Sequence, residues 1–165
     1  MNIIIDYGLG NLKSIQNQLR RLGHQSIISS KVKDVITADR LILPGVGHFA
    51  HGIKNLYDYR LVNILNQKVL ENKTPILGIC LGMQLFTQWS EEGNAKGLMW
   101  IKAKTNKFKA HNYDKLFKIP HIGWNSIQSM KTGKLLFNID EDSLFYFAHS
   151  YYVDCEEEKD ILATR

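Results

Sequence analysis

Apolar runs and helical spacings alternate along the first half of this chain of 165 residues. The short apolar runs that predict buried strands lie at 2–5, 25–29, 40–43 and 75–79. The helical spacings lie between them, at 12–22, 48–59 and 61–72. From about Trp100 the pattern changes to shorter strand-like pieces, among them 143–148 and 151–154. This order predicts an α/β fold, a parallel sheet with helices on both faces, in one domain spanning 1–165.

The most informative stretch is 75–86, where a buried strand is predicted to deliver Cys80 to a tight turn. Gly78 and Gly82 flank the cysteine at minus two and plus two, and a helix is predicted to begin over 83–88. This is the strand–nucleophile–helix turn of the G-x-S-x-G type, with cysteine in place of serine. A nucleophile on so sharp a turn needs neighbours without side chains.

The position of Cys80 gives it a chemical role. Free N–H groups and the dipole at a helix N-terminus favour an ionised thiol. The same N–H groups, chiefly that of Leu81, can stabilise an oxyanion on a carbonyl attacked by the sulfur. The alternative is a small buried cysteine that ends a core strand. The two glycines, the preceding strand and the following helix together favour catalysis.

The loop Asp6–Asn11 carries two further glycines and a candidate helix cap. Asn11 can cap the first helix, which Gly23 is predicted to end. Gly8 and Gly10 could open a dinucleotide-binding G-x-G-x-x-G, but its third glycine would fall at Lys13. The sequence therefore predicts turn residues here and no nucleotide cofactor.

Composition and cysteine usage indicate an ordinary globular chain. Hydrophobic residues make up 44% and charged residues 22%, and no apolar stretch approaches the length of a bilayer span. The N-terminus lacks the basic leader of a signal peptide. Two cysteines without secretory features favour free thiols in a reducing cytoplasm. Cys155 is followed by three glutamates, which would discourage a thiolate, so a structural role is predicted.

The net charge of +5 is concentrated in one segment, 102–118. Its lysines are Lys102, Lys104, Lys107, Lys109, Lys115 and Lys118. Nucleic-acid binding is one interpretation of such a run, but no nucleic-acid motif accompanies it, and Phe108 with Tyr113 makes a poor stacking platform. A solvated face that meets a partner protein is the favoured interpretation.

Metal binding has little support among the six histidines. His48 and His51 share a predicted helix face, but no third ligand accompanies them. A solvated helix surface is the favoured interpretation, and no metal site is predicted.

Five motifs together resemble a known enzyme family. Pro44–Gly47, Gly78–Gln84 and His149–Tyr152 stand in the order and approximate spacing of the class I, triad-type glutamine amidotransferases. Asp6–Asn11 and Pro120–Asn125 narrow the resemblance to the glutaminase-subunit family of imidazole glycerol phosphate synthases, which serve histidine biosynthesis. The resemblance covers essentially the whole chain.

The resemblance implies a fold, a reaction and a partner. The expected fold is flavodoxin-like. The expected reaction is hydrolysis of L-glutamine to glutamate and ammonia through a cysteine thioester, without a cofactor. The expected partner is a separate synthase subunit, a (β/α)8 barrel that consumes the ammonia.

The resemblance also implies residue roles. Cys80 resembles the nucleophile, and the N–H groups of Leu81 and Val46 resemble the oxyanion donors. The segment from Gly45 to Gly47 resembles the loop that carries the second donor and lies against the substrate.

The groups that resemble those holding the amino-acid end of glutamine are Gln84, Ser150 and Tyr151. His149 resembles a substrate-positioning residue rather than the base. Trp124 and Tyr146 resemble residues that face the synthase subunit, with a core role as the alternative.

One expected motif is missing. The family carries its base and orienting acid as a His-x-Glu pair near the C-terminus, and the sequence contains no such pair before Arg165. We therefore expect an incomplete chain of an active enzyme, with severely reduced activity as it stands. The alternatives are a paralogue that supplies ammonia to a surface-sugar amidating enzyme, a non-catalytic binding subunit and a cysteine hydrolase of related architecture.

Overall fold

Four parallel strands form the main sheet of this computed structural model, which describes residues 1–109, 119–140 and 142–165. Their bounds are β1 Asn2–Ile5, β2 Ser26–Ser29, β3 Arg40–Gly45 and β4 Ile76–Cys80. They pair in the order β2–β1–β3–β4. All four agree with the predicted strands to within two residues at either end, because each is a short apolar run bounded by polar or turn residues.

Five α-helices lie among the described residues, four between these strands and the fifth directly after β4. Their bounds are α1 Leu12–Arg21, α2 Val32–Ile36, α3 Phe49–Asp58, α4 Val62–Asn66 and α5 Leu81–Gln84. Asn11 caps α1 as predicted, since its side chain accepts a hydrogen bond from the Ser14 N–H at 3.2 Å. The main hydrophobic core lies between the sheet and the helices and includes Ile3, Ile5, Leu41, Leu43, Leu56 and Leu65.

The predicted helix 61–72 is divided in the structure. After α4 the chain continues as a π-helical turn over Gln67–Glu71. The buried Lys68 lies in this turn, and its amine donates to the Ile36 carbonyl at 3.0 Å. The spacing of apolar residues did not indicate the change of helix type.

Two helix predictions were wrong or incomplete. α2 was not predicted, because five residues with only Val35 buried show too little periodicity. The helix expected over 83–88 begins earlier and is shorter, since α5 ends at Gln84 and turns follow it. The chain then enters a strand at Trp89.

The second half consists of short strands, as the change of pattern predicts. They are β5 Trp89–Ser90, β6 Ala95–Lys96, β7 Ala103–Lys107, β8 His121–Asn125, β9 Gln128–Ser129, β10 Phe145–His149, β11 Tyr151–Cys155 and β12 Ala163–Thr164. One sheet has the order β11–β7–β5–β6, and the pairs β10–β8 and β12–β9 are separate antiparallel ribbons. Single 3₁₀ turns span Lys134–Leu136 and Glu158–Asp160. Among the described residues, no helix has the length and apolar character that crossing a bilayer requires.

Candidate active site

The chain turns abruptly at Cys80, where β4 ends and α5 begins. Cys80 has φ 54° and ψ −119°, a conformation that residues with a Cβ rarely adopt. Its side chain is exposed, whereas Leu81 beside it is buried. The predicted strand–nucleophile–helix turn is therefore present, with its thiol at the surface.

The two flanking glycines are required by close contacts. A Cβ at Gly82 would lie 1.8 Å from the Leu43 carbonyl oxygen, and one at Gly78 would lie 2.6 Å from the Met83 Cα. Both neighbours are backbone atoms that no side-chain rotation can move. The expectation that the turn needs neighbours without side chains is confirmed.

The helix after Cys80 is a single turn. Because α5 has only four residues, the dipole that the sequence analysis invoked for the thiol is smaller than expected.

The Pro44–Gly47 segment lies directly beside the nucleophile. β3 runs through Gly45, which is the cross-strand partner of Cys80. A Cβ at Gly45 would lie 2.9 Å from the Gly82 nitrogen, so the two backbones are in close contact. Val46 is exposed, and Gly47 has φ +99°, a left-handed conformation suited to glycine. The carboxyl ends of two adjacent parallel strands thus meet at the thiol.

Tyr7 is a neighbour that the sequence analysis did not identify. Its ring is fully buried at the end of β1, and its hydroxyl would lie 2.5 Å from a Cβ at Gly45. Among the described residues this hydroxyl has no hydrogen-bond partner. Burial, and secondarily the charge of Cys80, raise the pKa of Tyr7 above its usual range. The sequence feature that could have identified Tyr7 as part of the site is its position in the loop between the first strand and the first helix.

Gln84 and Tyr151, both predicted to bind substrate, come together in the structure. The buried Gln84 side chain donates through Nε2 to the Tyr151 carbonyl at 3.4 Å. The adjacent Ser150 carbonyl accepts from the Phe108 N–H at 3.0 Å. Because Gln84 lies on the single turn that follows Cys80, this contact places β11 beside the nucleophile turn.

His149 has both ring nitrogens engaged. Nδ1 lies 2.7 Å from the Tyr151 carbonyl oxygen, and Nε2 lies 3.1 Å from Nδ1 of His121. A general base must present a free nitrogen to the group it deprotonates. The geometry therefore favours a positioning role, as the resemblance implies.

Trp124 and Tyr146 lie on the antiparallel pair of β8 and β10, called the β8–β10 hairpin below, on the face opposite His149. They are cross-strand partners with ring centroids 5.5 Å apart. Their side chains are 66% and 58% exposed, so neither belongs to the core of the described structure. With Ile122, also exposed, they form an apolar surface.

The second cysteine lies in a different environment. Cys155 ends β11, where burial and the charges of Asp160 and Asp154 raise its pKa despite an opposing effect of Lys131. The expected discouragement of a thiolate is present, but it comes from burial and aspartates rather than from the neighbouring glutamates.

The basic segment 102–118 is only partly described. Lys115 and Lys118 lie outside the described residues. Lys102 forms an ion pair with Glu157 at 3.2 Å, and Lys104 and Lys107 lie on β7. The interpretation of this segment as a partner-facing surface stays a prediction.

The histidines at 48 and 51 have a structural explanation. His48 caps α3, accepting the Ala50 N–H through Nδ1 at 3.2 Å, and the rings of His48 and His51 lie 5.0 Å apart. In the part of the chain that the structure describes, no group of three histidine, cysteine or acidic side chains could hold a metal ion.

Comparisons with known proteins agree with this geometry. The family model described as glutamine amidotransferase class-I matches residues 3–165. "Imidazole glycerol phosphate synthase subunit HisH 2" of Methanococcus maripaludis is 52% identical over 99% of this chain and 80% of its own length. "Imidazole glycerol phosphate synthase subunit HisH" of Leptospira interrogans is 39% identical over 97% of this chain and 78% of its own length.

Solved structures share the fold at low sequence identity. A glutamine amidotransferase crystal structure matches with a TM-score of 0.73 and 15% identity, over 98% of this chain and 78% of that one. The glutaminase domain of Trypanosoma brucei CTPS, solved with bound acivicin, matches with a TM-score of 0.59 and 16% identity, over 93% and 68%. The chain belongs to the class-I glutamine amidotransferases, and the predicted fold is confirmed.

Proposed function

We propose that this chain is the glutaminase subunit of an imidazole glycerol phosphate synthase, and that it hydrolyses L-glutamine to supply ammonia for histidine biosynthesis. The observation that carries the proposal is the strained turn at Cys80, packed against Gly45. The relatives at up to 52% identity bear the name of this subunit. These names support a role in histidine biosynthesis rather than a paralogue that supplies ammonia to a surface-sugar amidating enzyme.

In the proposed reaction the Cys80 sulfur attacks the side-chain amide carbon of glutamine. The carbonyl oxygen becomes an oxyanion, which the N–H groups of Leu81 and Val46 stabilise. Collapse of this intermediate breaks the C–N bond, releases ammonia and leaves a glutamyl thioester. Water then hydrolyses the thioester, which frees glutamate and regenerates the thiol.

The substrate groups of the proposal surround this turn. Gly47 leaves the backbone of the oxyanion loop open to the substrate, since a Cβ there would have nothing within 4 Å, and the buried Gly45 holds the loop against the turn. Gln84 and the backbone of Ser150 and Tyr151 hold the amino-acid end of glutamine. The contact between Gln84 and the Tyr151 carbonyl supports a shared binding surface.

The proton of the thiol needs an acceptor that later returns it to the departing ammonia. No His-x-Glu pair occurs between Met1 and Arg165, and His149 is engaged on both nitrogens. The chain spans about four fifths of the length of the relatives named above. We assign the proton transfer to none of the described residues.

The proposed partner is a synthase subunit of the (β/α)8 barrel type, which docks on Trp124 and Tyr146 in the cytoplasm. Exposed aromatic pairs are typical of the central residues of protein interfaces. Their position on the hairpin that also carries His149 supports contact near the substrate-binding strand.

The test is glutamine hydrolysis, measured as glutamate and ammonia released with and without the synthase subunit. We expect turnover that rises with the partner and falls to the uncatalysed background in Cys80→Ala. Cys155→Ala is the matched control and should retain turnover. Hydrolysis that survives Cys80→Ala, or peptide cleavage without glutamine hydrolysis, would contradict the proposal.

A further inference from the structure

The inner face of the β8–β10 hairpin carries a continuous chain of hydrogen bonds. The Asn125 Nδ2 lies 2.9 Å from His121 Nε2, and His121 Nδ1 lies 3.1 Å from His149 Nε2. His149 Nδ1 in turn lies 2.7 Å from the Tyr151 carbonyl oxygen. Three bonds thus join one end of β8 to the start of β11.

Chemistry fixes the direction of this chain. A carbonyl oxygen only accepts, so His149 must carry its proton on Nδ1 and accept at Nε2. His121 must then donate from Nδ1, which leaves its Nε2 to accept from the Asn125 amide. When both rings are neutral, this direction requires the same Nδ1–H tautomer in both histidines.

Arg165 fixes the orientation of the Asn125 side-chain amide, the first group in the series of hydrogen bonds. Its guanidinium donates to the Asn125 Oδ1 at 2.7 Å, and a guanidinium can only donate. The amide oxygen of Asn125 is therefore turned toward Arg165, and its NH₂ group faces His121. The carbonyl at one end and the guanidinium at the other thus require the same direction of hydrogen-bond donation.

The other end of the chain reaches the nucleophile turn. The Tyr151 carbonyl also accepts from Gln84 Nε2 at 3.4 Å. Gln84 is the last residue of α5, which begins directly after Cys80. One carbonyl oxygen thus joins the histidine chain to the turn that bears the thiol.

We propose that Asn125, His121 and His149 are positioning residues that hold the Tyr151 carbonyl and the Gln84 amide in place for glutamine, and that protonation of His121 releases them. This inference rests on the proposed function, because it concerns regulation of the same site. A proton on His121 Nε2 would face the Asn125 NH₂ group, so two donors would oppose each other.

The surroundings disfavour the protonated form of His121. Its titratable and charged neighbours are His149, across the strand on β10, and Arg165, which follows β12. Burial, then His149 and Arg165, lower the pKa of His121 below 6.5. As the pH falls below about 6.5, the folded protein therefore binds fewer protons than the unfolded protein. The contribution of His121 to the free energy of unfolding is lost in acid as a result.

The first test measures the tautomers directly. Long-range ¹H–¹⁵N correlation spectra at pH 8 should show both His121 and His149 as Nδ1–H tautomers, assigned with His121→Gln and His149→Gln. Either histidine in the Nε2–H form would overturn the inference. This readout does not depend on glutaminase activity.

The second test reverses the pH dependence of the three hydrogen bonds. In Asn125→Asp the carboxylate accepts from a protonated His121, which can still donate to His149. When the same His121 loses its proton in this variant, the remaining proton stays on Nε2 beside the carboxylate, and the donation to His149 is lost. The variant should therefore keep the three hydrogen bonds in acid and lose the bond between His121 and His149 as the pH rises.

The measurement is the KM for L-glutamine between pH 5.5 and 8.5, with kcat followed separately. We expect the wild-type KM to rise about fivefold toward acid, the worth of one hydrogen bond, and the Asn125→Asp KM to rise toward alkali instead. Asn17→Asp is the matched control, because Asn17 also accepts from an arginine, Arg20, away from the site. It should keep the wild-type profile.

The outcomes separate the two proposals. Active wild-type enzyme with a flat KM profile, or an Asn125→Asp profile like that of the wild type, overturns the inference and leaves the proposed function intact. If no variant hydrolyses glutamine, the proposed function fails, and the tautomer spectra alone decide whether the hydrogen-bond chain exists.

Discussion

Backbone contacts fix the geometry of the turn at Cys80, whereas the placement of side chains distinguishes the two faces of the β8–β10 hairpin. At the turn, backbone lies against backbone, so that a single added Cβ at Gly82 would overlap the Leu43 carbonyl. In the hairpin the two strands pair one to one in antiparallel register, and the side chains differ between its two faces. One face exposes Trp124 and Tyr146, and the other carries the paired histidines.

The difference explains what each region tolerates. The turn depends on residues that have no side chain, so almost any substitution there should damage the fold and the site together. The hairpin depends on which side chains stand opposite each other, so its substitutions should change binding or pH response and leave the fold intact. Substitutions in each region can break or sharpen this contrast.

The largest effect is expected at the turn. Gly82→Ala should lower the free energy of unfolding by more than about 3 kcal/mol, since the new Cβ meets an immovable backbone oxygen. Denaturant titration measures it. Gly23→Ala is the control for the close contact, because a Cβ there would have nothing within 4 Å, and its positive φ alone should cost about 1 kcal/mol. Equal costs would show that the close contact is unimportant.

The next effect is expected on the exposed face of the hairpin. Trp124→Ala should weaken binding of the synthase subunit by about 2 kcal/mol, while the free energy of unfolding changes by less than about 0.5 kcal/mol. Calorimetric titration and denaturant titration measure the two quantities. Phe137→Ala, at another highly exposed aromatic residue, should leave both unchanged. A large loss of stability in Trp124→Ala would indicate a core role.

The thiols of Cys80 and Cys155 should also differ in their rates of alkylation. Alkylation of Cys155 by iodoacetamide at pH 8 should be slower than that of Cys80 by about tenfold or more, because burial and Asp160 raise the pKa of Cys155 and reduce its thiolate. Peptide mass spectrometry measures both rates. Asp160→Asn should accelerate Cys155 alone. Equal rates in the wild type would contradict the contrast.

The smallest effect concerns the hydroxyl buried beneath the turn. Tyr7→Phe should raise the free energy of unfolding by about 1 kcal/mol, since it removes a buried hydroxyl without a partner among the described residues. Thermal and denaturant unfolding measure it. Tyr57→Phe, at an exposed tyrosine, should have no effect. A loss of stability in Tyr7→Phe would mean that the hydroxyl does make a bond.

The sequence predicted the turn better than the hairpin for a physical reason. Gly78, Cys80 and Gly82 lie within five residues of each other, so their spacing was sufficient to predict the turn, although the carbonyl that excludes a side chain at Gly82 belongs to Leu43 on β3. The register that places His121 opposite His149 is a contact between residues 28 apart along the chain, and spacing alone carries no signal for it. Single turns such as α2 were missed because they are too short to show a period.

The most direct test of the central claim is to identify the residue that a chloroketone analogue of L-glutamine modifies, read by peptide mass spectrometry. The account predicts one adduct per chain on Cys80, slowed by excess L-glutamine and not by D-glutamine. Modification of Cys80 and Cys155 to equal extents, or an adduct that L-glutamine does not slow, would contradict the assignment of Cys80 as the glutaminase nucleophile.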